Sequence, residues 1–150
     1  LELPLACHFR LAADRGAQMG LPEMDLGSVP AWGGSARLPR AVGRTHALDM
    51  ILRGLKIDGE HAYRIGLVSE LVPMAELKAR AQALGEEIAA QPRQAVKSML
   101  DVVVGFETKT LAESLADEGA AVTASRGSAN SLEGMQAFME KRKPVFNQDL

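Results

Sequence analysis

Cysteine is nearly absent from this chain. Cys7 is the only one among 150 residues, so no internal disulfide can form and a reducing, cytoplasmic setting is the expectation. With no basic neighbour except His8, the Cys7 thiol reads as a buried, inert small hydrophobe. Aromatic residues make up only 4% of the chain, with a single tryptophan, Trp32. Neither sign of charge dominates: the formal net charge is -2, which gives no general attraction to nucleic acid or to an anionic membrane. No apolar run approaches the ~20 residues that a membrane-crossing helix needs. His8 and His61 stand apart from other ligand types, and no Cys/His spacing suits zinc, so no metal is expected.

What is present is a globular composition, 47% hydrophobic and 24% charged, in a chain long enough for one ordinary domain. The chain is organised around Gly20 to Gly34, GLPEMDLGSVPAWGG. Pro22 fixes the backbone just before Glu23, and Pro30 does the same for the approach to Gly33 and Gly34, where a helix begins. Upstream, Glu2 stands in an otherwise apolar opening run, LELPLAC. Two held carboxylates in different surroundings are what general acid and base chemistry requires, since one accepts a proton and the other gives one. Each also has an ordinary reading. Glu2 can be a solvent-facing acid at a helix N-terminus, Glu23 a turn acid, the glycine pair a tight helix entry, and Trp32 a core or interface anchor.

Pro4 is tolerated only in a first helical turn, so the opening helix starts at or just before Leu1, without the residues that should cap it. A fragment of a longer protein is the expectation. Phe9 to Ala13 and Ala17 to Leu21 read as two strands around an Asp14-Arg15-Gly16 turn. Gly33-Gly34-Ser35 opens a helical segment that Pro39 should interrupt, followed by a firmer helix from Arg44 to about Arg53 with Leu48, Ile51 and Leu52 as its apolar face. Asp58 caps a short helix closed by Gly66, and Leu67 to Val72 reads as a strand ended by Pro73. Four helices should follow. The first carries Leu77, Ala81, Leu84 and Ile88 and is broken by Pro92; the second carries Val96, Met99, Leu100 and Val103. Capping boxes at Thr110/Glu113 and Asn130/Glu133 start the third and fourth, the last with Met135, Phe138 and Met139 as its stripe. Broad apolar stripes that do not close on each other predict packing against another subunit.

Four stretches in this order, LELPLACHFRLAA, GLPEMDLGSVPAWGGSARLPRAVG, LRGLKIDGEHAYRIGLVSELVP and EGMQAFMEKRKPVF, resemble the successive signatures of the enoyl-CoA hydratase/isomerase (crotonase) superfamily. The resemblance covers essentially the whole chain and lies nearest to enoyl-CoA hydratase. It implies an α/β fold: the later part of a ClpP/crotonase-like β-β-α superhelix over residues 1–73, then a helical region over 74–150 that drives formation of a trimer or hexamer. It implies a lyase of fatty acid metabolism that adds water to a trans-2-enoyl-CoA thioester, with coenzyme A as part of the substrate and no other cofactor. Glu2 and Glu23 match the two catalytic acids of the hydratases, and the isomerases generally keep only the one matching Glu23. The implied substrate-binding residues are Leu21, Pro30, Ala31, Trp32, Gly33 and Lys141, the last matching a lysine that reaches the CoA phosphates of a neighbouring subunit.

The family's oxyanion-hole donors lie upstream of the stretch matching Leu1 to Leu3, so the 150 residues alone are expected to be inactive. There are also departures from the pattern. Ala31 replaces a frequent glycine and Trp32 a small residue, which should narrow the acyl pocket; His8 replaces a usual aspartate; Val122 replaces an aromatic residue that often accompanies the lysine. Enoyl-CoA isomerisation or another crotonase-fold reaction, and a non-catalytic truncated subunit, remain as alternatives.

Overall fold

The computed structural model describes residues 1–148 and separates into two compact units, Leu1–Ala81 and Gln82–Leu150. Asp149 and Leu150, the last residues of the expected helical region, lie outside the described residues.

The first unit opens with the short helix α1 (Glu2–Leu5), with Leu1 as its N-cap and Pro4 inside its only turn. Strand β1 (Leu11–Ala13) pairs in parallel with β2 (Glu70–Val72), in the register Leu11 with Glu70, Ala12 with Leu71 and Ala13 with Val72. Both strands are three residues long, shorter than the expected runs. The second expected strand, Ala17 to Leu21, does not form. Within it only Met19 exchanges hydrogen bonds, both at 2.9 Å, with Ile57 in an isolated antiparallel bridge. Gly20 lies against the Leu55 carbonyl and Lys56, and Pro22 removes the next donor, so no ladder can extend.

A 3-10 helix spans Pro22–Leu26 and ends on Gly27 in the left-handed region (φ 65°). Helix α2 (Gly34–Leu52) runs through Pro39, contrary to the expected interruption there; its break is at Gly43, whose φ of 77° and ψ of 161° divide it into two segments. A proline near the start of a helix removes one backbone bond, whereas a left-handed glycine redirects the chain. The buried face of the second segment is also displaced from the expected one. Ala47 and Met50 are buried, Ile51 partly so, while Leu48 and Leu52 are exposed. Asp58 caps α3 (Gly59–Arg64) by accepting from His61 N at 2.8 Å, as its sequence position predicts. These elements close over a core that includes Leu5, Leu21, Leu38, Met50, Ile57 and Leu67. Cys7 is exposed, not buried, because it follows the end of α1 at the surface.

Helix α4 (Leu77–Ala89) crosses the unit boundary, and α5 (Arg93–Gly105), α6 (Leu111–Ser125) and α7 (Ala129–Glu140) complete the second unit. The Thr110/Glu113 capping box is present on α6. That of Asn130 is not, since Ser128 is the N-cap of α7 and accepts from Ser131 N. Glu133 instead accepts both arms of Arg142, at 2.6 and 2.9 Å, and Val145 N at 2.8 Å. The side chain of Asn147 ties the turn before α5 to the start of α7, accepting from Arg93 N and Asn130 Nδ2 and donating to Gln91 O. In this unit only Ala121 and Ala137 are buried apolar residues among those described, and Met135, Phe138 and Met139 are exposed, Phe138 to 84%.

Candidate active site

The site is built on the N-terminus of α2. Gly33 adopts φ 93° and ψ 5°, a left-handed conformation that a glycine takes without strain, and it turns the chain into the helix. The first peptide N–H groups of a helix lack partners within it and carry the positive end of its dipole. Here they meet a carboxylate. Glu2 Oε1 accepts from Trp32 N and Gly34 N, each at 2.8 Å. Two N–H groups two residues apart that converge on one oxygen form an anion-binding nest.

Gly34 has no room for a side chain. A Cβ there would lie 2.9 Å from Glu2 Oε1, 3.0 Å from Leu21 Cδ1 and 3.1 Å from Glu2 Cγ. Leu21, two residues before Glu23, is fully buried, so the turn that carries Glu23 is anchored at the same point of α2 that holds Glu2. Glu23 itself sits in the first turn of the 3-10 helix, whose Leu26–Gly27 end is closed by bonds from Gly27 N and Ser28 N to Met24 O and Glu23 O. Its Oε2 is buried and has no hydrogen-bond partner among the described residues. A buried carboxyl oxygen without a donor is costly, and a bound water or substrate group would satisfy it.

The two carboxylates therefore differ in what holds them. Glu2 has one oxygen fixed by the backbone and Oε2 outside those bonds; Glu23 has one oxygen that meets no donor among the described residues. Chemically, the first is an oriented acceptor and the second is open to exchange a proton or hydrogen bond with a ligand.

Pro30 is buried and its carbonyl accepts from Ser35 Oγ at 3.4 Å, while Ala31 is exposed. Trp32 contributes its backbone N–H to the nest, and the residue is 80% exposed. Lys141, in the second unit, is the C-cap of α7 in a left-handed conformation (φ 55°). Because Arg142 takes up Glu133 and Glu140, those acids are paired with the neighbour of Lys141 and not with Lys141 itself. Arg37, not singled out from sequence, donates from Nη1 to Trp32 O at 3.1 Å; its position four residues after a glycine that begins a helix was the available signal. An apolar cavity of about 380 Å³ lies beside β1, lined by residues such as Leu1, Pro4, Ala12, Met19 and Val68. Neither Glu2 nor Glu23 lines it. Among the described residues, no cluster of three or more His, Cys, Asp or Glu side chains is arranged to hold a metal, and no helix is long and apolar enough to cross a membrane.

Comparison with known proteins defines the class. Residues 1–149 match the model of the enoyl-CoA hydratase/isomerase family, and the chain belongs to that family. It is 40% identical over 147 residues to the "probable enoyl-CoA hydratase" of Bacillus subtilis, covering 97% of this chain and 57% of that protein. The similarity to the "probable enoyl-CoA hydratase" of Mycobacterium leprae is also 40%, over 145 residues, and covers 97% of this chain and 56% of that one. Among solved structures, the enoyl-CoA hydratase of Bacillus anthracis superposes with a TM-score of 0.89 at 36% identity, covering 95% of this chain and 55% of that one. The fold is thus that of the crotonase-fold hydratases, and the chain spans about half the length of the relatives it matches.

Proposed function

We propose that this chain forms part of an enoyl-CoA hydratase, a hydro-lyase that adds water to the double bond of a trans-2-enoyl-CoA thioester. The observation that carries the reading is the pair of acids held at the N-terminus of α2 by two different elements: Glu2 of α1, locked in the nest, and Glu23 of the 3-10 helix, with an unpartnered buried oxygen among the described residues. Glu2 serves as base. Its free Oε2 takes a proton from water as the water oxygen bonds to C3, and the C2–C3 π electrons move through C1 onto the thioester oxygen. Glu23 then gives its carboxyl proton to C2, restoring the thioester carbonyl, and the proton that Glu2 took from water passes to Glu23, returning both acids to their starting states. Oxyanion stabilisation in such a step is worth roughly 3 to 4 kcal/mol per N–H donor, and those donors belong to the complete protein.

The remaining assignments rest on the family likeness. Leu21, Pro30, Ala31, Trp32 and Gly33 border the acyl site, and Lys141 takes the CoA phosphates, with no cofactor beyond the substrate. Residues 1–73 form the later β-β-α core and 74–150 the oligomerising helices. The exposed apolar stripe of α7 supports a trimer or hexamer, and a cytoplasmic site accords with the bacterial relatives.

The test is Glu2→Gln in the complete protein, assayed with a 2-enoyl and a 3-enoyl thioester. Hydration should fall by roughly 10²- to 10⁴-fold, the range of a lost general base. Retained isomerisation of the 3-enoyl thioester with no hydration by the unsubstituted protein would assign an isomerase instead.

A further inference from the structure

We propose that Arg37 is a positioning residue for Glu2, acting through the three peptide groups of the α2 entry. The first of these peptides gives Trp32 N–H to Glu2, and the third gives Gly34 N–H to the same oxygen, both at 2.8 Å. The middle peptide carries the Trp32 carbonyl, which accepts from Arg37 Nη1 at 3.1 Å. The orientation of the middle peptide sets how its two neighbours face. Rotation of the Trp32–Gly33 peptide is the soft motion here, because glycine on its far side tolerates both signs of φ. The guanidinium opposes that rotation in two ways: it binds the carbonyl with a charged donor, and it occupies the space over Gly33, where a Cβ would lie 2.0 Å from Nη1 and 2.9 Å from Cζ. The Arg37 backbone closes the same turn, with Arg37 N donating to Gly33 O at 2.9 Å. Gly33 is therefore required both for its left-handed φ and for the space it leaves to the arginine. The inference deepens the hydratase reading, and rests on it only for the catalytic consequence: Arg37 keeps the free oxygen of Glu2 aimed.

Amide hydrogen exchange in the complete protein, resolved to single amides, tests this. In Arg37→Met, the Trp32 and Gly34 amides should exchange faster by about tenfold or more, the scale of one lost charge-assisted hydrogen bond. The amides of Ala62 and Leu67, bonded to Asp58 O and Ala62 O, should keep their rates. Arg37→Lys, which retains a charged donor, should recover part of the protection. Unchanged exchange at Trp32 and Gly34 would overturn the inference, and so would equal acceleration at all four amides, which marks a merely structural arginine. In the complete protein, Arg37→Met should lower kcat for hydration by about tenfold with KM nearly unchanged. Hydration absent from the unsubstituted protein would count against the hydratase reading alone, leaving exchange to decide the role of Arg37.

Discussion

The carboxylate of Glu2 occupies the space that any side chain on Gly34 would need, with Oε1 2.9 Å from where that Cβ would stand and bonded to Gly34 N at 2.8 Å. One residue thus provides both a donor and a vacancy for the same oxygen.

Gly34→Ala follows directly. The methyl would meet Glu2 Oε1, Glu2 Cγ and the buried Leu21 Cδ1, all within 3.1 Å. Glu2, on a flexible side chain, gives way first. The fold should lose only about 1 to 2 kcal/mol, within the range for mild overpacking, while hydration by the complete protein should fall roughly 10²-fold or more as Glu2, the base of the proposed reaction, leaves its cradle. Thermal melting and kcat measured on one preparation check the split.

Gly59→Ala should do the reverse. A Cβ at Gly59 would stand 2.4 Å from the backbone carbonyl oxygen of Ala13, on β1, and 3.1 Å from Leu71 Cδ2. Neither the strand backbone nor the packed leucine can move cheaply. A loss of about 2 to 3 kcal/mol is expected, read as a lower urea midpoint, with no contact to Glu2 or Glu23 involved.

The second unit has an acid-sensitive tie. The Arg142 guanidinium, helped by Val145 N–H, lowers the Glu133 carboxyl from 4.5 to about 2. A folded-state value below the unfolded one means that the contribution is fully present above pH about 4.5 and is lost as pH falls through about 2. The difference in melting temperature between the native chain and Glu133→Gln should therefore be flat above pH 5 and shrink steadily towards pH 2. A difference independent of pH over that window would refute the tie.

Much of this was legible in the residues. Asp58, Thr110 with Glu113, and Gly66 carry local signals whose physics is local, and each behaves as its position predicts. Misreadings arose where a distant partner decides the outcome. Ala17 to Leu21 has the composition of a strand but finds only Ile57 to pair with. Glu133 sits three residues after Asn130 but bonds Arg142 and Val145, while Ser128 takes the cap. Pro39 looks disruptive, yet the break falls at Gly43, because a left-handed φ redirects a helix more than one absent N–H does. On α2 the bulk of Leu48 and Leu52 suggests a core face, yet the helix buries Ala47 and Met50, because the packing partners of a helix and not the size of its residues decide which side faces the core. For the site, Glu2 and Glu23 could be nominated from chemistry and family likeness, but the Trp32–Gly34 nest joins residues some thirty positions apart. Arg37 carries no signal of its contact in the sequence because its partner is a backbone carbonyl, which no sequence displays.

The most direct test is loss of enoyl-thioester absorbance with crotonyl-CoA. The protein to use is this chain joined to the portion of the Bacillus subtilis relative that it does not cover, after its fold and assembly have been verified by circular dichroism and sizing. The account predicts hydration that disappears when Glu23→Gln is introduced, with the absorbance returning to the uncatalysed rate. A folded chimera that leaves crotonyl-CoA unchanged, or one that hydrates it equally well without the Glu23 carboxylate, would contradict it.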